Sequence, residues 1–78
     1  MPEFDAVAFT SELERAGLKL TTIRLADGRY RVNRWRMMGA DATRIDSLWA
    51  AKIGNNQEHL DLLTVHLSSR PPGPFSSP

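Results

Sequence analysis

Basic side chains that could bind phosphate or carboxylate groups are concentrated in one short part of the chain. Residues 19–36 carry six basic residues and one acid, a net charge of +5, whereas the whole chain of 78 residues has a net charge of +1. Arginine presents a planar fork that can bond two phosphate or carboxylate oxygens at once. The candidate binding residues are Lys19, Arg24, Arg29, Arg31, Arg34 and Arg36.

The basic residues lie on both sides of Asp27-Gly28, a dipeptide typical of the tight turn between two antiparallel strands. We predict a two-residue loop of type I′, because this register sets apolar residues against each other along the whole hairpin. The predicted pairs are Leu25 with Tyr30, Ile23 with Val32, Leu20 with Trp35 and Leu18 with Met37.

A three-residue loop is the alternative register. It would set Leu25 against Arg29 and Ile23 against Arg31, which puts charged side chains on the face that the hydrophobic pattern predicts to be buried. The pattern therefore favours the two-residue loop.

In the two-residue register the basic residues form two groups. Lys19, Arg34 and Arg36 share one face at the open end, whereas Arg24 and Arg31 face each other near the turn. Like charges in opposite positions destabilise a hairpin, and a bound anion would relieve their repulsion. The apolar face changes sides between the two groups, which predicts a strongly twisted ribbon with helices on opposite sides.

Two aromatic residues, Tyr30 and Trp35, are interleaved with the arginines. On a single-stranded nucleic acid such residues could stack on bases. Their predicted pairing with Leu25 and Leu20 favours packing in the core instead.

Two of the predicted helices flank the hairpin. The first covers residues 2–16 and ends at Gly17, a residue that readily adopts the left-handed conformation found after helix ends. The second covers residues 42–53, where apolar residues recur at helical spacing after Asp41, a favourable N-cap.

A third helix is predicted over residues 57–69 after Asn56, although the run 60–67 would also make a short strand that joins the hairpin. The element order α-β-β-α-α predicts one α+β domain at 1–69, a twisted two-stranded antiparallel hairpin packed against three helices. Residues 70–78, with four prolines, are predicted to be a disordered tail. Surplus apolar residues in the third helix predict a homodimer interface through Leu60, Leu62, Val65 and Leu67.

Several classes of function are disfavoured by the composition. The chain has no cysteine, which excludes disulfides and thiolate metal sites, and it has no run of roughly 18 apolar residues that could cross a membrane. His59 and His66 would stand about 10 Å apart along a helix, too far to share a metal ion. Since no nucleophile lies beside a base and no glycine-rich phosphate loop is present, we expect no enzyme, no cofactor and no metal, and a cytoplasmic protein.

The basic hairpin predicts a small binding protein that contacts DNA or RNA. The alternative is a protein-interaction module, either a homodimer or an adaptor or inhibitor that binds an acidic partner. A third interpretation assigns no function to the charge: basic residues keep exposed strand edges from pairing, with the acids of the first helix as counter-charges.

Overall fold

The structure, a computed structural model, describes residues 3–70 and confirms an α+β fold in the predicted order. The predicted tail beyond Arg70 lies outside the described residues. The elements are α1 (Ala6–Arg15), β1 (Leu18–Arg24), β2 (Tyr30–Arg36), α2 (Ala42–Lys52) and α3 (Gln57–Ser69). The last element is a helix, so the alternative of a third strand at 60–67 is wrong.

Each helix begins at a side chain that caps its first turn. Asp5, Asp41 and Asn56 each accept a hydrogen bond from the backbone N–H three residues later, at 3.0, 3.0 and 3.1 Å. These bonds satisfy N–H groups that have no partner within the helix. The predicted caps of α2 and α3 are confirmed, whereas α1 begins at Ala6 rather than at residue 2 because Asp5 is its cap.

The hairpin has the three-residue loop, so the predicted two-residue register is wrong. Leu25 N donates to Arg29 O at 2.7 Å and Gly28 N donates to Leu25 O at 3.0 Å. A type I′ turn needs positive φ at both central residues, but only Gly28, at φ +89°, has it. Asp27 keeps negative φ and its Oδ1 accepts the N–H of Arg29 at 3.0 Å. The conformation of the turn therefore determines the register, although the hydrophobic pattern favours the other one.

This register gives the hairpin a single core-facing side, which is buried at Leu18 and Leu20 and exposed near the turn, so the predicted change of sides does not occur. Leu18 and Leu20 of β1 are buried and Val32 of β2 is half-buried on the same, inner face. The residues that share the inner face are Leu18, Leu20, Thr22, Arg24, Tyr30, Val32, Arg34 and Arg36.

The core lies between the inner face of the hairpin and the helices. Leu13 of α1 and Leu63 of α3 are fully buried there. The other buried apolar residues are Phe9, Ala16, Leu18, Leu20, Ile45, Ile53 and Leu67. Among the helices within residues 3–70, none combines the length and the apolar character needed to cross a lipid bilayer.

Candidate nucleic-acid interface

The face of the hairpin that points away from the helices is the candidate interface, and we call it the outer face. It consists of Lys19, Thr21, Ile23, Arg31, Asn33 and Trp35. Every one of these side chains is exposed or half-buried. Neither strand contains an acidic residue, so the outer face carries positive charge and no negative charge.

Trp35 is the central feature of the outer face. It is paired with Lys19 across the hairpin, and 55% of its surface is exposed. Its indole Nε1 donates to Thr21 Oγ1 of the neighbouring strand at 3.4 Å. The prediction that Trp35 and Tyr30 pack in the core is wrong. The one-residue change of register places Trp35 on the outer face, whereas Tyr30 remains on the inner face but is exposed at the turn end of the hairpin.

Three of the six candidate cations contact neither an acid nor an aromatic ring within residues 3–70: Lys19, Arg24 and Arg31. Lys19 and Arg31 lie on the outer face. Arg24 lies near the turn on the inner face, opposite Tyr30, where both side chains are exposed. The predicted opposition of Arg24 and Arg31 is therefore wrong, and so is the shared face of Lys19 with Arg34 and Arg36.

The other three candidate cations contact groups within the protein. Arg29 Nε lies 2.6 Å from Asp27 Oδ2, and Arg36 Nη2 lies 3.1 Å from Asp46 Oδ1 of α2. The guanidinium of Arg34 lies over the ring of Trp49, with Cζ 4.5 Å from the centroid. The six residues therefore do not form one continuous basic patch.

The acids of α1 pair with cations outside the hairpin. Glu12 accepts from Arg44 of α2 at 2.8 Å, and Glu14 accepts from Arg70 at 3.2 Å. The predicted role of these acids as counter-charges for the hairpin is wrong. The cations of the outer face consequently remain available for an external anion.

The second predicted interface, on α3, is smaller than expected. Leu67 is buried and Leu60 is half-buried against the core, because both lie on the stripe of α3 that packs on the hairpin and α1. Only Leu62 and Val65 are exposed. Including Leu67 in a homodimer interface was therefore wrong.

No group of three or more His, Cys, Asp or Glu side chains within residues 3–70 is arranged to hold a metal ion. Comparisons of the chain with protein-family models, with curated proteins and with solved structures give no match. The functional proposal therefore depends on the geometry of the outer face and of the surfaces beside it.

Proposed function

We propose that the protein binds single-stranded nucleic acid on the outer face of its hairpin, and that it acts by binding rather than by catalysis. The observation that carries this proposal is the exposed indole of Trp35 opposite Lys19 on a sheet face without acids. An aromatic ring on such a surface can stack on a base, which contributes about 1–3 kcal/mol per base in proteins that bind single strands.

The arrangement of the arginines favours a single strand over a duplex. A ribbon that enters a DNA major groove reads base edges with side chains that are free to extend from it. Arg34 and Arg36 are held against α2 instead. Stacking on Trp35 requires an unpaired base, and the free cations Lys19 and Arg31 lie on the same face to contact the phosphates.

Arg29 can add to this surface when a phosphate is present. Its pair with Asp27 is largely exposed, at 77% and 51% of the two side chains. Exposed ion pairs of this kind contribute about 0–1 kcal/mol, so a phosphate can compete with the aspartate for the guanidinium.

The first experiment measures fluorescence anisotropy of labelled oligo-dT and oligo-U at low salt. We expect Trp35→Ala to weaken binding by about tenfold or more, the lower part of the range for one stacked base. Met38→Ala is the matched control, because Met38 is a fully exposed apolar residue just after β2. Equal affinity of the two variants would contradict stacking on Trp35.

The second experiment compares substitutions that remove the same charge at different places. Lys19→Ser and Arg31→Ser remove cations of the outer face, and Lys52→Ser and Arg15→Ser remove exposed cations of the helices. Each lost phosphate contact should reduce the slope of log affinity against log salt by about 0.7 for a single strand. Equal effects of the two sets, or no binding of the unmodified protein at low salt, would overturn the proposal.

A protein partner is the second candidate function. The exposed apolar residues Leu62 and Val65 of α3 favour it. Two side chains fall short of the roughly 800 Å² per partner that a stable interface buries, so a homodimer through α3 is the weaker candidate. Sedimentation at high concentration tests it directly.

Because the chain has no cysteine, we also propose a cytoplasmic location.

A further inference from the structure

A cleft of about 630 Å³ opens between β2 and α3, and Arg31 is the one residue of the outer face in its lining. β2 supplies four of its lining residues and β1 supplies none, so the cleft borders the free edge of β2. Its lining includes Tyr30, Val32, Trp49, Leu60, Asp61 and Val65.

The alternation of hydrogen-bonded and non-hydrogen-bonded residue pairs between β1 and β2 determines which backbone groups of β2 face this cleft. Leu25 N donates to Arg29 O at 2.7 Å, and Met37 N donates to Gly17 O at 2.8 Å. In an antiparallel ladder every second residue bonds to the partner strand and the residues between them turn their groups outward. Both bonds join odd-numbered residues, so the even-numbered residues of β2 turn their N–H and C=O groups to the outer edge.

These outward groups belong to Tyr30, Val32, Arg34 and Arg36. Within residues 3–70 they make no backbone hydrogen bond to another element. A two-stranded sheet with an open edge can accept a further extended strand, whose own N–H and C=O groups complete the ladder.

The side chains beside the edge define the chemistry of such a strand. On the inner side, Val32 lies next to a cleft wall made by Leu60 and Val65 of α3. On the outer side, Arg31 carries a charge with no ion-pair partner in the described part of the chain. Since side chains of a strand alternate between the two sides, the added strand needs alternating apolar and acidic residues.

We propose that the cleft between β2 and α3 binds an extended peptide segment of a partner protein, added as a third strand on β2. Apolar side chains of the peptide occupy the cleft, and acidic side chains between them lie beside Arg31. Main-chain hydrogen bonds to β2 provide the affinity for the peptide. Its alternating apolar and acidic side chains provide the specificity. Trp35 does not line this cleft, whereas Arg31 borders both the cleft and the outer face.

The experiment presents the protein with a displayed library of random twelve-residue peptides. We expect enrichment of sequences that alternate apolar and acidic residues. A synthetic copy of the best binder is then compared with a copy N-methylated at alternate residues, which removes the amides that would pair with β2. N-methylation at these positions should weaken binding by about tenfold or more, and methylation at the intervening positions should not.

Variants of the protein test the position of the peptide. Val65→Glu places a negative charge in the cleft and should weaken binding of the selected peptide by about tenfold. Val7→Glu is the matched control, because Val7 of α1 is exposed to 59% and Val65 to 64%. The amide of Val32 should also become protected from hydrogen exchange when the peptide is bound.

Each remaining outcome contradicts the proposal. Absence of any enriched peptide shows that the edge does not accept a strand. An enriched peptide that tolerates N-methylation binds by side chains alone. Equal effects of Val65→Glu and Val7→Glu place the peptide elsewhere. Loss of peptide binding in Trp35→Ala would assign the peptide to the outer face, because Trp35 does not line the cleft.

Discussion

The guanidinium of Arg34 lies over the indole of Trp49, with Cζ 4.5 Å from the ring centroid, and joins β2 to α2. Two positions further along the same strand, Arg36 pairs with Asp46 of α2 at 3.1 Å. Two of the six basic residues in the hairpin segment therefore hold the hairpin against a helix. Clustering of charge along the chain does not become clustering on one surface.

Replacement of Arg34 by alanine should destabilise the protein and expose Trp49. Loss of the contact should lower the free energy of unfolding by about 0.5–1 kcal/mol, the usual contribution of a cation over an aromatic ring at a partly exposed site. The measurement is urea unfolding followed by fluorescence in a Trp35→Phe background, where Trp49 is the only tryptophan. Arg24→Ala in the same background is the control and should leave the spectrum unchanged. A red-shifted spectrum in both variants would contradict the assignment.

Gly17 should not tolerate alanine. A Cβ at this position would stand 2.7 Å from Ala40 Cα, and the backbone φ is +97°. Positive φ costs an alanine about 1–2 kcal/mol, and overpacking against a backbone atom adds about 1–3 kcal/mol. Thermal unfolding of Gly17→Ala is therefore expected at a much lower temperature than in the unmodified protein.

Gly39→Ala separates the two causes. Gly39 also has positive φ, +83°, but within residues 3–70 no atom beyond its own and the adjacent residues would lie within 4 Å of an added Cβ. Gly39→Ala should lower the free energy of unfolding by only about 1–2 kcal/mol. Equal losses of unfolding free energy in Gly17→Ala and Gly39→Ala would show that contact with Ala40 does not contribute to the cost at residue 17.

The elements and their caps could be predicted from the sequence because each depends on local signals. Asp41 and Asn56 cap their helices as predicted, and Gly17 and Gly54 follow α1 and α2 with positive φ. The predicted start of the first helix at residue 2 is wrong because Asp5, which lies inside the predicted range, is the N-cap of α1.

The faces of the hairpin could not be predicted, because they depend on the backbone conformation of Asp27. Negative φ at Asp27 makes the loop one residue longer and moves Trp35 from the predicted core to the outer face. A change of register by one residue reverses every side chain of one strand relative to the other. The sequence therefore identified the aromatic and basic residues of the outer face as candidates, but it did not predict that they lie on the same face of the hairpin.

Thr10→Val should stabilise the protein. Thr10 is buried, and its Oγ1 has no hydrogen-bond partner within residues 3–70. An unsatisfied buried hydroxyl costs about 1–3 kcal/mol, and valine has nearly the same shape without it. A gain of about 1 kcal/mol would raise the melting temperature of a domain of this size by about 4–8 °C.

The control for Thr10 is Thr43→Val, since Thr43 is exposed on α2. It should change stability by less than about 0.5 kcal/mol. A melting temperature of Thr10→Val at or below that of Thr43→Val would indicate that the hydroxyl of Thr10 is satisfied in solution.

Ala26→Pro distinguishes the two registers of the hairpin. In the observed three-residue loop, Ala26 is the second residue of the turn closed by Gly28 N and Leu25 O, a position that favours proline and leaves its N–H free. The substitution should be neutral or stabilise the protein by about 0.4–1 kcal/mol. In a two-residue loop, Ala26 would be the last residue of β1, its N–H would bond to Arg29, and proline would remove that bond. A clear loss of stability on urea unfolding, together with an altered position of Trp35 in NMR spectra, would contradict the observed register and the outer face built on it.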